Sequence, residues 1–187
     1  MPGSVMTRLG VDIGMRRACS LYKQLILATL DTLPTNIKTE LWCYPSIKHP
    51  FFIECWRRYG ITRHPQIYPD LGKNMMSAFK SARKKNRRLI LIGTDMPEIN
   101  ANDIFQAIES MENGSDIVIL PTCDGGYGLI AMKSLHPEVF KSIALSTDKV
   151  FTSTLRKANR LSLNVELLNM KNDIDTISDY RQRRAES

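Results

Sequence analysis

At 187 residues the chain is long enough for one α/β core and short for two independent domains. No apolar run approaches the roughly 18 residues of a membrane helix, and the start MPGSVMTRLG lacks a signal-peptide apolar region, so a membrane partner is not expected and a cytoplasmic location is. The 26 basic and 19 acidic residues leave +7, which favours phosphate-bearing ligands or merely solubility, and Cys19, Cys43, Cys55 and Cys123 lack the C-x-x-C spacing of a zinc site.

From the N-terminus, Ala18, Leu21, Tyr22, Leu25, Ala28 and Thr29 follow the helical period and stop near Leu33-Pro34. Lys38 to Tyr44 reads as a strand, and Phe51, Phe52, Cys55, Trp56 and Tyr59 form the stripe of a helix ended by Gly60. A short strand around Gln66 to Tyr68 leads into Asp70-Leu71-Gly72 and a helix carrying Leu71, Met75, Ala78, Phe79 and Ala82. The basic run Arg83-Lys84-Lys85-Asn86-Arg87-Arg88 follows it, where cations complement a helix C-terminus. With no interleaved aromatics and no base-reading motif, a nucleic-acid partner is not expected.

Leu89 to Ile92 is a fully apolar run that ends in Gly93-Thr94-Asp95-Met96-Pro97, which reads as a strand buried on both faces with Asp95 at its carboxyl edge. Ligands of open α/β sheets bind outside that edge, so a carboxylate there can hold a divalent cation against phosphates, or simply form an Asx turn. Ile104, Phe105, Ile108 and Met111 then share a helical face. Asp116 to Leu120 is a second buried-strand pattern, leading into Asp124-Gly125-Gly126-Tyr127 and apolar Leu129 to Met132. Glycines there supply a turn between strands and also let backbone N–H groups approach a ligand, with Asp124 beside them. A helix opening at Ser146 or Thr147, a strand at Asn164 to Leu168 and a short helix from Thr176 complete the chain. The alternation predicts a three-layer α/β/α sandwich around a mostly parallel sheet, in a single domain spanning residues 1–187.

Six segments in order, PGSVMTRL (Pro2 to Leu9), DLGKNM (Asp70 to Met75), LIGTDMPEI (Leu91 to Ile99), DGGYGLIAM (Asp124 to Met132), STDKV (Ser146 to Val150) and DIDTISDY (Asp173 to Tyr180), carry a family resemblance. The chain resembles bacterial glycosyltransferase-A-like proteins known as arsenosugar-biosynthesis glycosyltransferases or radical-SAM/selenodomain-associated transferases, of the nucleotide-diphospho-sugar transferase superfamily. That resemblance implies a metal-dependent transferase using a nucleotide sugar or nucleotide donor and an unknown acceptor. It implies that Gly3, Thr7 and Arg8 wrap the donor phosphates and that Asp70, Leu71 and Gly72 contact the nucleoside. Asp95, preceded by Gly93 and Thr94, would ligate Mg²⁺ or Mn²⁺. Asp124, Gly125, Gly126 and Tyr127 would line the acceptor side, and Asp148 would complete the metal site or activate the acceptor. Helix capping is the competing reading for Asp70 and Asp148, and a surface ion pair for Arg8.

Two departures stand out. Relatives have an apolar strand ahead of the Pro-Gly loop, whereas here Met1-Pro2-Gly3 lies inside it, so the first strand is expected to be missing. Each unpaired group on the exposed sheet edges would cost about 1–3 kcal/mol, so the expectation is either a misassigned start with a longer true protein, or a gap filled by another segment or by a partner chain, as in a homodimer. The second is Met6, where many relatives carry Lys. Nucleotidyl transfer of the guanylyltransferase kind is the nearest alternative, because Gly-x-Asp-x-Pro and Asp-Gly-Gly loops occur there too. A non-catalytic nucleotide-binding module is a third.

Overall fold

The structure, a computed structural model, describes residues 2–83, 88–141 and 148–186. In chain order the elements are α1 (Thr7–Ile13), α2 (Met15–Thr32), β1 (Glu40–Cys43), α3 (Pro50–Tyr59), β2 (Thr62–Pro65), α4 (Leu71–Arg83), β3 (Leu89–Ile92), α5 (Ala101–Glu112), β4 (Ile117–Pro121), β5 (Tyr127–Met132), α6 (Val150–Arg160), β6 (Val165–Leu167) and α7 (Ile177–Glu186). The α/β class read from the sequence is the class observed. The chain forms two compact units, one from Met1–Gln66, Thr94–Ile99 and Asn172–Ser187 and the other from Ile67–Gly93 and Asn100–Lys171.

The first unit contains a β1-α3-β2 crossover in which β1 and β2 pair in parallel, Glu40 opposite Thr62 and Cys43 opposite Pro65. His49 caps α3 through Nδ1, which accepts from Phe51 N–H, and Pro50 fills the first turn, where its missing N–H costs nothing. Gly60 ends the helix in the left-handed region at φ 65° and returns its N–H to the Trp56 carbonyl. Phe51, Phe52 and Cys55 bury against Ile26, Leu30 and Leu41. The strand expected at Gln66 to Tyr68 lies earlier, at Thr62–Pro65. Those residues are mostly polar and half-exposed, so pairing with β1, not apolar alternation, makes them a strand.

The segment expected to be a phosphate loop, Gly3 to Leu9, also differs: its last three residues are the opening of α1. Leu9 is fully buried with Leu25 and Ile174, and Met6 packs on that cluster from a left-handed conformation at φ 46°. The apolar side chain at position 6 thus contributes to packing. The same cluster receives Ile177 and Tyr180 of α7.

The second unit holds a four-stranded sheet of order β3-β5-β4-β6. β4 and β6 are parallel, whereas β5 runs antiparallel to both β3 and β4. Where sequence alternation predicts mostly parallel pairing, β5 returns directly from β4 through the Asp-Gly-Gly turn, and a tight turn can join only antiparallel strands. β4 is buried at every position, flanked along its edges by β5 and β6 and clustered with helix residues such as Phe79 and Ala158. β3, in contrast, pairs only with β5 among the described residues, and Ile90, Leu91 and Ile92 are half-buried, not buried on both faces. Met75 and Phe79 of α4 and Ala158 of α6 complete this core, while Leu71 and Phe105, expected in helix stripes, are exposed. Asn100 and Asp103 form a capping box at the start of α5, and Asp103 also takes the Lys171 ammonium at 2.5 Å. The expected helix opening at Ser146 or Thr147 and basic residues 84–87 lie outside the described residues.

α7 starts with a box of its own: Asp179 Oδ2 accepts from the Thr176 hydroxyl (2.8 Å), Thr176 N–H (2.7 Å) and Asp175 N–H (3.1 Å). Burial pushes the Asp179 carboxyl up, but these hydrogen bonds outweigh it and hold the group below its ordinary value of 3.8. A depressed carboxyl stabilises the fold above its unfolded pKa and loses that contribution as pH falls through the folded one. Asp179→Ala should therefore cost about 1 kcal/mol at pH 7, and its deficit relative to wild type should shrink below about pH 4, as measured by urea denaturation at both pH values.

Candidate functional site

In the first unit, Asp95 lies on a six-residue segment pinned at several points. Thr94 Oγ1 and the Tyr22 hydroxyl share a hydrogen bond of 2.9 Å, and the Asp95 carbonyl accepts from Ile174 N–H at 3.0 Å. Met96 and Ile99 are each 1% exposed, and Ile99 N–H returns to the Met96 carbonyl, which closes a turn after the carboxylate. Asp95 itself is half-buried, not sealed in the core. Gly93, in the second unit, ends β3 with its N–H on the Gly128 carbonyl at 2.8 Å. Burial pushes the Tyr22 hydroxyl pKa up, the Thr94 hydrogen bond lowers it, and the Asp95 charge raises it again. Tyr22 is thus a neighbour of Asp95 that the sequence shows only as one position of a helix stripe.

Gly3 and Thr7 are exposed, as is Arg8, whose guanidinium pairs with Asp175 at 2.8 Å. The surface ion-pair alternative for Arg8 is therefore present in this structure. The start of α7 is capped by Thr176 and Asp179. A cleft of about 30 Å³ beside the Asp95 segment is lined by Pro97, Glu98, Asn172, Asp173 and Asp179. A larger depression of about 500 Å³, lined by Ser20, Lys23, Gln24, His49 and Glu54, contains none of the expected site residues.

In the second unit, Asp124 Oδ1 accepts from the Thr122 hydroxyl at 2.5 Å and from Gly126 N–H at 3.0 Å, so the carboxylate organises its own turn. Gly125 sits at φ +87°, and a Cβ there would meet the Asp148 carbonyl oxygen at 2.0 Å. Its carbonyl accepts from Phe151 N–H at 3.0 Å. The loop and the approach to α6 are thereby fastened together, and the structure brings exposed Asp124 and exposed Asp148 onto neighbouring backbone. Tyr127 packs against the core, and burial pushes its hydroxyl up to about 12. Asp70 accepts from Lys73 N–H at 2.8 Å, the capping geometry, with Leu71 exposed and Gly72 buried. Asp95 thus belongs to one unit and Asp124, Asp148 and Asp70 to the other.

Among the described residues no three His, Cys, Asp or Glu side chains are grouped so as to hold a metal ion. Mg²⁺ and Mn²⁺ do not require such a cage, because one or two carboxylates plus substrate phosphate oxygens and water complete their coordination. The oxygen donors present suit that chemistry. All four cysteines are free, Cys19, Cys43 and Cys55 buried and Cys123 exposed, and burial pushes the Cys43 thiol up to about 12. Among the described residues no helix is long and apolar enough to cross a membrane.

The architecture is that of nucleotide-diphospho-sugar transferase-like proteins. A Desulfovibrio desulfuricans G20 protein, proposed as a nucleotide-diphospho-sugar transferase, is similar over 100% of this chain and 84% of its own, with 29% identity and a TM-score of 0.85. Two others share the fold at lower identity. A cytidylyltransferase of Leptospira borgpetersenii matches at 14% identity over 86% of this chain and 74% of its own (TM-score 0.60). A CMP:2-keto-3-deoxy-manno-octonic acid synthetase solved with CTP matches at 9% over 88% and 86% (TM-score 0.56). No curated protein matches. Residues 29–147 match the family described as uncharacterized protein conserved in bacteria (DUF2064), and the chain belongs to that family.

Gly125→Ala should be more damaging than Gly114→Ala. Both residues have positive φ, but a Cβ on Gly114 meets open space whereas one on Gly125 strikes the Asp148 carbonyl. Urea midpoints should place the Gly114 variant about 1–2 kcal/mol below wild type and the Gly125 variant clearly lower, and equal losses would show that the contact is not tight. Tyr22→Phe, which keeps the ring and removes the hydroxyl bound to Thr94, should cost about 1 kcal/mol in the same assay.

Proposed function

We propose that this chain is a metal-dependent transferase that takes a nucleotide-activated donor and moves a glycosyl group from a nucleotide sugar to an acceptor. The carrying observation is the placement of Asp95: a half-buried carboxylate just past β3, on a segment fixed through Tyr22–Thr94 and through the Asp95 carbonyl. The similarity to the Desulfovibrio protein, which extends over the whole chain, supports the same reading. Asp95 would hold Mg²⁺ or Mn²⁺, and Asp148 would activate the acceptor. When bound, the cation would supply charge neutralisation for the departing diphosphate.

The remaining roles belong to side chains and main chain. Thr7 and Arg8, with Gly3 ahead of them, would bind phosphate oxygens. Arg8 reaches that role by exchanging Asp175 for a phosphate, and an exposed pair of this kind is worth little, so the exchange is cheap. Asp70, Leu71 and Gly72 would meet the nucleoside. Gly93 and Thr94 would shape the backbone at the cation. Asp124, Gly125, Gly126 and Tyr127 would line the acceptor side. A donor free in the cytoplasm suits such a protein.

Calorimetric titration with nucleoside diphosphates and nucleotide sugars, with and without Mn²⁺, tests the proposal. Binding should depend on Mn²⁺, and Asp95→Asn, in a sample that circular dichroism shows folded, should weaken it at least about tenfold. Release of nucleoside diphosphate from a nucleotide sugar is the product expected of glycosyl transfer. Pyrophosphate release from a nucleoside triphosphate would reassign the chain to nucleotidyl transfer, and a folded wild type that binds no nucleotide would leave a non-catalytic module.

A further inference from the structure

In the stripe of α2, Tyr22 occupies a place that a phenylalanine would fill as well. Its ring packs, half-buried, against the cluster that contains Ile26, Leu30, Leu41 and Phe52. The hydroxyl at the end of the ring is surplus to that packing. It shares a hydrogen bond of 2.9 Å with Thr94 Oγ1, on the residue that precedes Asp95. A tyrosine has only two side-chain torsions, and with its ring held by the core its oxygen is a fixed point, where the tip of a lysine or glutamine would wander.

Peptide groups are planar, so holding the residues on both sides of a Cα sets the direction in which its side chain leaves. After Asp95 the chain is held by Ile174 N–H on the Asp95 carbonyl at 3.0 Å, and further on by buried Met96 and Ile99. Before Asp95 the contact is the one between Thr94 and Tyr22. Met96 and Ile99 already keep the segment in the fold; what the hydroxyl pair adds is the angle at which the carboxylate departs. Burial pushes the Tyr22 hydroxyl up and the Asp95 charge adds to it, against the pull of the Thr94 bond, so the phenol keeps its proton at neutral pH. Direction matters at such a carboxylate, because Mg²⁺ demands near-ideal octahedral geometry with oxygens at about 2.0–2.1 Å.

We propose that Tyr22 is a positioning residue of the Asp95 site: its hydroxyl, acting through Thr94, sets the direction in which the Asp95 carboxylate meets a divalent cation. This assignment rests on the reading above in which Asp95 holds that cation, and it adds to that reading a functional side chain from α2. Tyr22 touches neither cation nor donor, so its loss changes the affinity of the site through Asp95 alone.

The test measures, by calorimetry on the full chain, the affinity for Mn²⁺ in the presence of uridine diphosphate or guanosine diphosphate, with the urea midpoint recorded beside it. Tyr22→Phe keeps the ring and, in a sample that circular dichroism shows folded, should weaken Mn²⁺ binding about 10- to 100-fold. Thr94→Val should show the same loss, and Thr94→Ser, which restores a hydroxyl, should recover most of it. Tyr22→Phe and Thr94→Val combined should lose no more than either alone, since both delete one hydrogen bond. Tyr59→Phe removes another phenol of the same unit, bonded to Asp31 at 2.7 Å, and should leave Mn²⁺ affinity unchanged. If Tyr22→Phe does not fold, the two Thr94 variants decide alone. Wild-type Mn²⁺ affinity in folded Tyr22→Phe and Thr94→Val, with only the urea midpoint lowered, overturns this inference and leaves the donor reading standing. An equal loss in Tyr59→Phe also overturns it. A wild type whose nucleotide binding ignores Mn²⁺, or an Asp95→Asn variant that binds Mn²⁺ as wild type does, overturns both.

Discussion

The pairing of β4 along both of its edges is the constraint on which the second unit depends. With β5 antiparallel along one edge and β6 parallel along Ile117–Ile119 of the other, both edges of an apolar strand are paired and every side chain from Ile117 to Leu120 leaves water. The β4–β5 ladder sets Ile117 opposite Met132 and Ile119 opposite Ile130 and shifts register only at Leu120/Pro121, beside the turn. The turn that closes β4 onto β5 therefore emerges at a fixed place. That place is the Asp124–Gly126 loop, and the chemistry of the loop inherits the rigidity of the strand.

The loop shows how a turn and a candidate site can be the same object. Asp124 uses one carboxylate oxygen to hold the turn, so its charge is oriented by the Thr122 hydroxyl and the Gly126 N–H. Gly125 is required twice over, by its positive φ and by the Asp148 carbonyl pressed against it. A backbone approach that excludes even a methyl group ties the start of α6 to the hairpin. Asp148 therefore occupies a defined position without any side-chain bond to Asp124.

The first unit achieves its rigidity differently. Its Asp95 segment is short, and is held by Tyr22 on Thr94, by Ile174 on the Asp95 carbonyl and by two buried apolar anchors, Met96 and Ile99. These partners come from α2 and from the approach to α7, far apart in sequence. The Arg8–Asp175 pair joins α1 to the approach to α7 at the surface, where its exposure makes it an exchangeable contact and not a structural clamp.

Much of this was legible in the residues themselves. Leu89 to Ile92 and Asp116 to Leu120 announce strands, Gly60 announces the end of α3, and the alternation of elements announces an α/β fold, because apolar periodicity and glycine conformation are local properties. The acidic loops at strand ends follow from the same local reasoning. Tertiary structure alone decided the rest. It made Thr62–Pro65 a strand by giving it β1 as a neighbour, left β3 half-buried with β5 as its one partner among the described residues, and reversed β5 through a tight turn. It also turned Tyr22 onto Thr94 and Asn74 onto Tyr68, contacts between side chains and distant or folded-back backbone that no periodicity encodes. A sequence specifies which surfaces are apolar and where the chain can bend, but which polar atoms meet depends on how those surfaces pack.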